Sequence, residues 1–526
     1  MQSSNRGWGE GLDRLIFFGS VGGIVSLCVP LALYPEQGGV VLGRAFDYLT
    51  QNFGVMYVAG ASLTFAFLLY LAFSRHGDIR LGNQAPEFST LSWAAMLFCG
   101  GIGTSVLYWG VVEWAFYFQT PPYGVQPASA EAMMWSVSYP IFHWGMMGWS
   151  LYVLPGVAIA YSYYVRGAGS LRLSDACEPV LGRYARGALG RSIDLLFVVG
   201  LVGACSMGIG LAVPLIGACV AHLLGVDRQS MGFALDVAVI LVVTCIFAGS
   251  VWIGLEKGIK RLSDINVVLA LALLAFVLIA GPTLFMVELG FESIGHMLQN
   301  FVRMSTYTDA SDSSTFVADW TVFYWAWWLA LGPYMGVFIT KISRGRTLRE
   351  LILGGIGYGT LGCTAFFAIL GNYALFLEMN DLIDVIDILN TAGAPAAIVA
   401  VLGTLPLSKI VIAVFTVVCV IFAATSYDSA SYTLAASATR SLAPQEHPHR
   451  LHRVFWAFLL GLLPITLVYM GGLKPLQSAV TLASVPLYLV TATMTIGLWR
   501  SIKSAESAAL GGVDHAQAAP SLRTKT

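Results

Sequence analysis

The sequence predicts an all-α polytopic membrane protein with twelve transmembrane helices. Of its 526 residues, 57% are hydrophobic and only 11% are charged, whereas soluble domains carry about 25% charge. In addition, apolar runs of roughly 20 residues, long enough to cross a bilayer, recur along the chain. A soluble globular fold is therefore excluded. The 28 basic and 29 acidic residues nearly balance. The chain as a whole therefore lacks the positive charge by which a protein attracts nucleic acid.

An even number of spans leaves both termini on the same side of the membrane. The loops on that side carry 23 of the 28 basic residues and the opposite loops carry 5, so the positive-inside rule places both termini in the cytoplasm. The first residues are polar, and the first span is therefore expected to be retained and not cleaved as a signal peptide. The spans are predicted at residues 15–34, 54–74, 90–118, 135–165, 193–224, 234–255, 265–288, 317–340, 351–379, 409–438, 453–472 and 476–499.

Two segments are predicted to be something other than spans. Residues 291–302 place Ile294, Met297, Leu298 and Phe301 at helical spacing, which indicates an amphipathic helix at the membrane interface. The chain from residue 501 onward is polar, which predicts a disordered tail. The eight cysteines are scattered and form no CxxC pair, so we interpret them as small apolar packing residues.

Two spans contain residues that interrupt helices. Three glycines lie within residues 98–105 of the third span, and each costs a helix about 1 kcal/mol relative to Ala. Backbone groups freed near the midplane can bind substrate and ion in transporters, although small residues can also serve only close helix packing. The eighth span is predicted to be broken at Gly332 and Pro333, five helices after the first break. This spacing indicates two inverted repeats of five helices, preceded by two extra helices.

The predicted division of the chain follows from these features. It assigns residues 1–14 to a cytoplasmic N-terminus, 15–89 to the two extra helices, 90–288 to the first five-helix repeat, 289–316 to the amphipathic interfacial helix and its loop, 317–499 to the second repeat, and 500–526 to a cytoplasmic disordered tail.

Aromatic residues share one face on each of two spans. In the eighth span they recur at helical spacing from Trp320 to Trp328, and in the fourth span Trp144, Trp149 and Tyr152 fall within about 140° of arc. Tryptophans usually form a belt at the membrane interface, but belt residues have no reason to share a face in mid-helix. Facing indoles and phenols form a cage for a quaternary ammonium, which cannot donate hydrogen bonds.

These motifs resemble those of the betaine/choline/carnitine transporter family. The most specific is Trp-Thr-Val-Phe-Tyr-Trp-Ala-Trp-Trp at residues 320–328, followed by Ile-Ser-Arg-Gly-Arg-Thr at 342–347; residues 86–90, 142–145 and 471–475 match as well. The resemblance implies a LeuT-type fold of two inverted five-helix repeats. It also implies a homotrimer, with the amphipathic helix at the subunit contacts, in the bacterial inner membrane.

The resemblance also implies a set of substrate-binding residues. The family's aromatic box falls on Trp144, Trp149, Tyr152, Trp327 and Trp328. Phe116 lies where one branch has a tyrosine, and Trp320 lies where the family has an outer binding surface. Leu331 departs from relatives that often have Trp or Tyr, which leaves the shape of the permeation path open.

The expected substrate is a zwitterion such as glycine betaine or carnitine. Choline-type members have an aspartate at the position of Ser105, whereas this chain has no Asp or Glu between Thr90 and Tyr108. Thr104, Ser105 and the bare amides near them are hydrogen-bond donors, which suit a substrate carboxylate.

The coupling ion is left open by signals that disagree. In sodium-coupled relatives the ion lies between the third and tenth helices, and its ligands here would be Cys99, Ile102, Phe422, Thr425 and Ser426, although Thr-Ser pairs in membrane helices often bond their own backbone. Asn266 also argues against exchange, because sodium-independent exchangers have an arginine there. Met335 argues for exchange, because exchangers have a methionine there. Sodium symport is favoured over exchange, and proton coupling through Glu113 or Asp428 is a third alternative.

The sequence lacks the motifs of other classes of membrane protein. No HExxH, GxSxG or P-loop sequence occurs, so an intramembrane enzyme is disfavoured. Repeated filter loops typical of channels are absent as well. No cofactor other than sodium is expected.

Overall fold

The computed structural model describes residues 11–100, 103–253, 256–311, 314–440 and 448–517. This part of the chain is almost wholly helical and contains no β-strand; its only bridges are the isolated pairs Leu12–Thr439 and Arg80–Thr347. The all-α prediction is therefore confirmed.

The first half contains ten α-helices, with a π-helical turn at Tyr161–Val165 and 3₁₀ turns at Arg75–Asp78 and Gly182–Arg186. The helices are α1 (Arg14–Leu33), α2 (Pro35–Phe73), α3 (Thr90–Gly100), α4 (Thr104–Gln119), α5 (Ala130–His143), α6 (Met146–Ala160), α7 (Leu173–Leu181), α8 (Ala188–Leu224), α9 (Arg228–Ile253) and α10 (Glu256–Ala280).

The second half contains ten further α-helices, with π-helical turns at Val317–Val322 and Phe367–Gly371. The helices are α11 (Thr283–Gln299), α12 (Phe301–Thr306), α13 (Phe323–Ile342), α14 (Leu348–Phe366), α15 (Asn372–Met379), α16 (Val385–Ala392), α17 (Ala394–Gly403), α18 (Ser408–Ser437), α19 (Arg450–Tyr469) and α20 (Leu473–Gln517).

Ten of the predicted spans are helical stretches long and apolar enough to cross a membrane. The third span is a pair of helices, α3 and α4, inclined to each other by 59°, which agrees with the predicted interruption at the glycine stretch. The fourth span is divided into α5 and α6, of 14 and 15 residues, and neither is long enough to cross alone. The structure therefore does not confirm the count of twelve.

The break in the fourth span has a local cause at Gly145. Its ψ of −141° departs from helical geometry, and there is no room for a Cβ at this position because the carbonyl of Ile141 lies against it. Pro140, one turn earlier, has no amide to donate within α5. The sequence prediction of an unbroken helix over 135–165 is wrong for this reason.

The predicted break at Gly332 and Pro333 is also wrong. Both residues lie inside α13, which is continuous from Phe323 to Ile342. Gly332 instead allows α13 to approach α6 closely, since a Cβ at Gly332 would lie 2.8 Å from the carbonyl oxygen of Leu151. Small residues here serve packing. The inference of two repeats therefore depends on the family resemblance and not on matched breaks.

The C-terminal segment and the interfacial helix differ from the predictions in extent. Residues 501–517 continue α20 as helix where a disordered tail was predicted; Lys503 and Glu506 form an i,i+3 ion pair there that supports helix. Residues 518–526 lie outside the described part. The amphipathic segment begins earlier than predicted, at Thr283, because α10 ends before Gly281 and Pro282.

The packing of the helices brings the aromatic spans together. The helix α13 packs along α6 and also contacts α8 and α20, while α14 packs on α3 and α6. The helix α14 therefore borders both broken spans, and α13 borders α6 as well as Gly100 at the end of α3.

Candidate functional site

The side chains predicted to form the aromatic box lie together where α5, α6 and α13 meet. Its five side chains are each at most 8% exposed: Trp144, Trp149, Tyr152, Trp327 and Trp328. The ring centroid of Trp328 lies 4.7 Å from that of Trp144 and 5.4 Å from that of Tyr152, with both ring pairs at 73°. Trp149 meets Tyr152 at 5.5 Å and 87°. These nearly perpendicular rings contact each other edge to face and not as a stack.

Trp327 has a different position from the other box residues. Its ring stacks on Trp328 at 4.9 Å and 15°, and its Nε1–H donates to the carbonyl oxygen of Ala204 on α8 at 3.1 Å. Trp327 therefore supports the ring of Trp328 and attaches α13 to α8.

The broken fourth span and the box are joined by a hydrogen bond. The Nε1–H of Trp328 donates to the carbonyl oxygen of His143 at 2.9 Å, where α5 ends and carbonyl groups lack helical partners. A Cβ at Gly148 would lie 2.9 Å from the same indole nitrogen. The ring of Trp328 is thus held against the end of α5.

A buried carboxylate holds the indole of Trp144. Glu113 on α4 is 0% exposed and accepts hydrogen bonds from Trp144 Nε1 (3.0 Å), Tyr117 Oη (2.6 Å) and Tyr324 Oη (2.6 Å). The ring nitrogens of His143 extend this network, with Nδ1 3.0 Å from Tyr117 Oη and Nε2 3.1 Å from the hydroxyl of Thr321. The three donors to this carboxylate are formally neutral groups.

The break in the third span adjoins the box. A Cβ at Gly100, the last residue of α3, would lie 3.6 Å from Met335 Cε and 3.8 Å from the Trp149 indole. Past the break, the hydroxyl of Thr104 donates to the carbonyl oxygen of Cys419 at 3.4 Å, and Ser105 lies against Gly208 on α8. The hydroxyl of Thr104 therefore already has a partner within the protein.

Phe116 and Trp320 lie together in a second aromatic cluster, called the outer cluster because Trp320 is predicted at the family's outer binding surface. The ring centroids of Phe116 and Trp320 are 5.1 Å apart, and Trp109 meets Trp320 edge-on at 5.6 Å. Tyr324 stacks on Trp320 at 6.4 Å and on Trp328 at 5.6 Å. The outer cluster is therefore continuous with the box through Tyr324.

The predicted sodium ligands form a less regular arrangement than the aromatic residues. The hydroxyl of Thr425 donates to the carbonyl oxygens of Ile421 and Phe422 on its own helix, and Ser426 is exposed. Cys99 is partly buried near the end of α3, whereas Ile102 lies outside the described residues. The sodium site remains a prediction.

Asn266 and Asp428, which bear on how transport is coupled, both contact other helices. The Nδ2 of Asn266 donates to the carbonyl oxygen of Val418 at 3.2 Å, which links α10 to α18. Asp428 forms an ion pair with Arg453 at 2.7 Å. Asp428 is therefore part of a link between α18 and α19.

The sequence prediction missed the contribution of α14 to the site. Phe367, just after α14, lies 5.5 Å from Trp144 between ring centroids, and there is no room for a Cβ between Gly359 and the Trp149 indole. The only signal in the sequence is the density of glycines over residues 354–362. It indicates that another helix packs closely there but does not show which one.

Comparisons with known proteins are consistent with this geometry. The family model described as "BCCT, betaine/carnitine/choline family transporter" matches residues 15–507. A protein of Escherichia coli (strain K12) named "uncharacterized transporter YeaV" is 37% identical over 442 residues, covering 84% of this chain and 91% of that protein. A carnitine transporter of Acinetobacter baumannii (strain ATCC 19606) is 34% identical over 470 residues, covering 89% of this chain and 85% of that protein.

Proposed function

The chain belongs to the betaine/carnitine/choline family of transporters, and from this premise we propose that it takes up a zwitterionic quaternary-ammonium solute such as glycine betaine or carnitine. Family membership makes it a transporter and not an enzyme. The proposed mechanism is secondary active transport by alternating access, with sodium symport as the coupling.

The observation that carries the proposal is the arrangement of three buried rings. Trp144 and Tyr152 both stand nearly perpendicular to Trp328 with centroids within 5.4 Å of it. An onium group has no N–H to donate, so it is recognised by ring faces and not by hydrogen-bond acceptors. In a water-poor site such a contact is worth about 2 kcal/mol.

The charge pattern favours a zwitterion over choline. Glu113 is the carboxylate that is hydrogen-bonded to the box. It already accepts three hydrogen bonds, one of which holds Trp144. No acidic residue occurs between Thr90 and Tyr108. A substrate that carries its own carboxylate is neutral overall, which lowers the cost of its passage through the membrane. The name of the Acinetobacter baumannii relative, a carnitine transporter, agrees with this class.

Sodium symport is proposed over exchange because of the chemistry of three residues. Asn266 supplies no positive charge of the kind that replaces the ion in exchangers, and Thr425 with Ser426 offers hydroxyl oxygens, the ligands that a weakly held monovalent cation needs. Exchange is the second candidate, favoured by Met335, whose Cε would lie 3.6 Å from a Cβ at Gly100 next to the Trp149 indole. A thioether there can take the place of an ion.

We also propose a homotrimer formed through α11. Its outward face carries exposed apolar side chains, with Phe291 81% and Leu298 54% exposed, while Met286 and Met297 on the opposite face are buried in the same chain. The exposed face is available for a neighbouring subunit.

The proposed substrate is tested by uptake of radiolabelled glycine betaine into proteoliposomes, with choline and carnitine as competitors. We expect carnitine to compete far better than choline. Trp328→Leu should weaken apparent affinity about ten-fold through loss of one wall of the cage, whereas Trp328→Phe should retain most of it. Equal losses in the two variants would mean that only the hydrogen bond to His143 matters, and equal competition by choline would reject the zwitterion.

The proposed coupling is tested by the same uptake with and without a sodium gradient. Thr425→Ala combined with Ser426→Ala should raise the sodium concentration needed for half-maximal uptake. Thr433→Ala, at a hydroxyl on the same helix that donates to its own backbone, should leave that concentration unchanged. Wild-type uptake that is indifferent to sodium but stimulated by substrate inside the vesicle would replace symport by exchange.

A further inference from the structure

Two threonine hydroxyls on α14 lack hydrogen-bond partners. The Oγ1 atoms of Thr360 and Thr364 are buried, and neither has a partner among the described residues; Thr364 as a whole is 9% exposed. Helical threonines usually bond the carbonyl four residues earlier, as Thr416 and Thr481 do in this chain. A buried polar group without a partner is unfavourable, and water or a ligand commonly supplies the partner.

Thr360 adjoins the aromatic box, and Thr364 lies one helical turn further along α14. The methyl group of Thr360 would lie 3.4 Å from a Cβ at Gly145, the residue after Trp144. The side chains of Cys363 and Trp149 are hydrogen-bonded, and Phe367 contacts Trp144. Residues 360, 363, 364 and 367 fall within about 100° of arc on a helix, with Thr364 at one edge of this arc, about 40° from Thr360.

Several other donors in and near the box are already engaged inside the protein. The indole N–H groups of Trp144, Trp327 and Trp328 donate to Glu113, Ala204 and His143. The hydroxyl of Thr104 donates to Cys419. The hydroxyls of Thr360 and Thr364 keep their hydrogen-bonding capacity.

We propose that Thr360 and Thr364 donate hydrogen bonds to the carboxylate of the substrate whose onium group lies in the aromatic box. This inference rests on the proposed function and deepens it. Hydrogen bonds to a charged acceptor are the strong ones, and two donors one helical turn apart suit the two oxygens of a carboxylate.

The test separates recognition of the two ends of the substrate. Binding of glycine betaine, carnitine and tetramethylammonium to the purified full-length protein is measured by tryptophan fluorescence. Tetramethylammonium has the onium group and no carboxylate. For Thr360→Val combined with Thr364→Val we expect the Kd of the zwitterions to rise about ten-fold or more and the Kd of tetramethylammonium to stay within about two-fold. The double substitution to Ser should restore wild-type affinity because it restores both hydroxyls.

Matched variants distinguish a loss of binding from a folding defect. Thr481→Val removes a hydroxyl that is 0% exposed and bonded to its own helix, and should leave every Kd unchanged. The single variant Thr364→Val gives a second measurement if the double variant is unstable. Unchanged zwitterion affinity in the valine variants, or an equal loss for tetramethylammonium, would overturn the inference. Failure of the wild type to bind any onium compound would instead reject the proposed function, and the inference with it.

Discussion

At the scale of single residues, Glu113 is the least expected feature of the site. A fully buried carboxylate is costly unless it is paired, and this one is stabilised by two phenols and one indole at 2.6–3.0 Å. The arrangement fixes the side chain of Trp144 through its Nε1–H. Glu113 is therefore a residue that positions Trp144.

Replacement of Glu113 by Ala should lower both stability and affinity. The change leaves three buried donors without an acceptor, at about 1–3 kcal/mol each, and frees the Trp144 ring. We expect a lower thermal unfolding temperature and an equal loss of affinity for glycine betaine and tetramethylammonium, since the onium end is the one affected. Thermal unfolding and fluorescence titration in detergent measure the two effects.

The control for this variant is Glu131→Ala. Glu131 also accepts from an indole, Trp135 Nε1 at 3.4 Å, but it is exposed at the start of α5. Its loss should change neither stability nor affinity by a measurable amount. Full affinity in Glu113→Ala would show that Trp144 is held by packing alone.

At the scale of elements, the close contact between α14 and α6 determines the position of Trp149. Gly359 lies against this indole without room for a Cβ, whereas Gly357 on the same helix has no heavy atom within 4 Å of a Cβ position. The two glycines are equal in helix propensity, so any difference between them reports packing.

Gly359→Ala should displace the Trp149 indole and weaken substrate binding. Overpacking of this kind costs about 1–3 kcal/mol. Gly357→Ala should be neutral or slightly stabilising, because Ala favours helix. Apparent affinity in the uptake assay and thermal unfolding compare the two variants, and identical behaviour would contradict the contact between α14 and α6.

At the scale of the whole molecule, segments that are distant in sequence are joined to one another in two groups. The backbone of Leu81 exchanges hydrogen bonds with Gly345 and Arg346, which joins the loop before α3 to the loop after α13. The Leu12–Thr439 bridge and the hydrogen bond from Arg172 to the carbonyl oxygen of Thr439 join three more segments. All of these segments belong to the basic side predicted by the positive-inside rule.

We expect that side to be cytoplasmic. A green fluorescent protein fused after residue 526 should fluoresce, and alkaline phosphatase at the same place should be inactive. Phosphatase fused after residue 406, between α17 and α18, should be active. The reverse pattern would invert the predicted topology.

The sequence by itself determined the positions of the long apolar helices and the aromatic residues of the box. Hydropathy reports these because a span needs an apolar run of fixed length, and the residues 320–328 are specific enough to indicate the family. It also located the break near Gly100, where glycines weaken a helix without any help from neighbours.

Only the tertiary structure decided which helix breaks, and what each buried polar group contacts. Gly332 with Pro333 and Gly145 with Pro140 are similar patterns, yet only the second pair ends a helix. The contributions of Glu113 and of Thr360 and Thr364 on α14 were likewise undetermined. In a membrane protein the lipid-facing and protein-facing sides of a helix are both apolar, so periodicity does not show which side packs. Hydrogen-bond partners far apart in sequence are then decided by the packing itself.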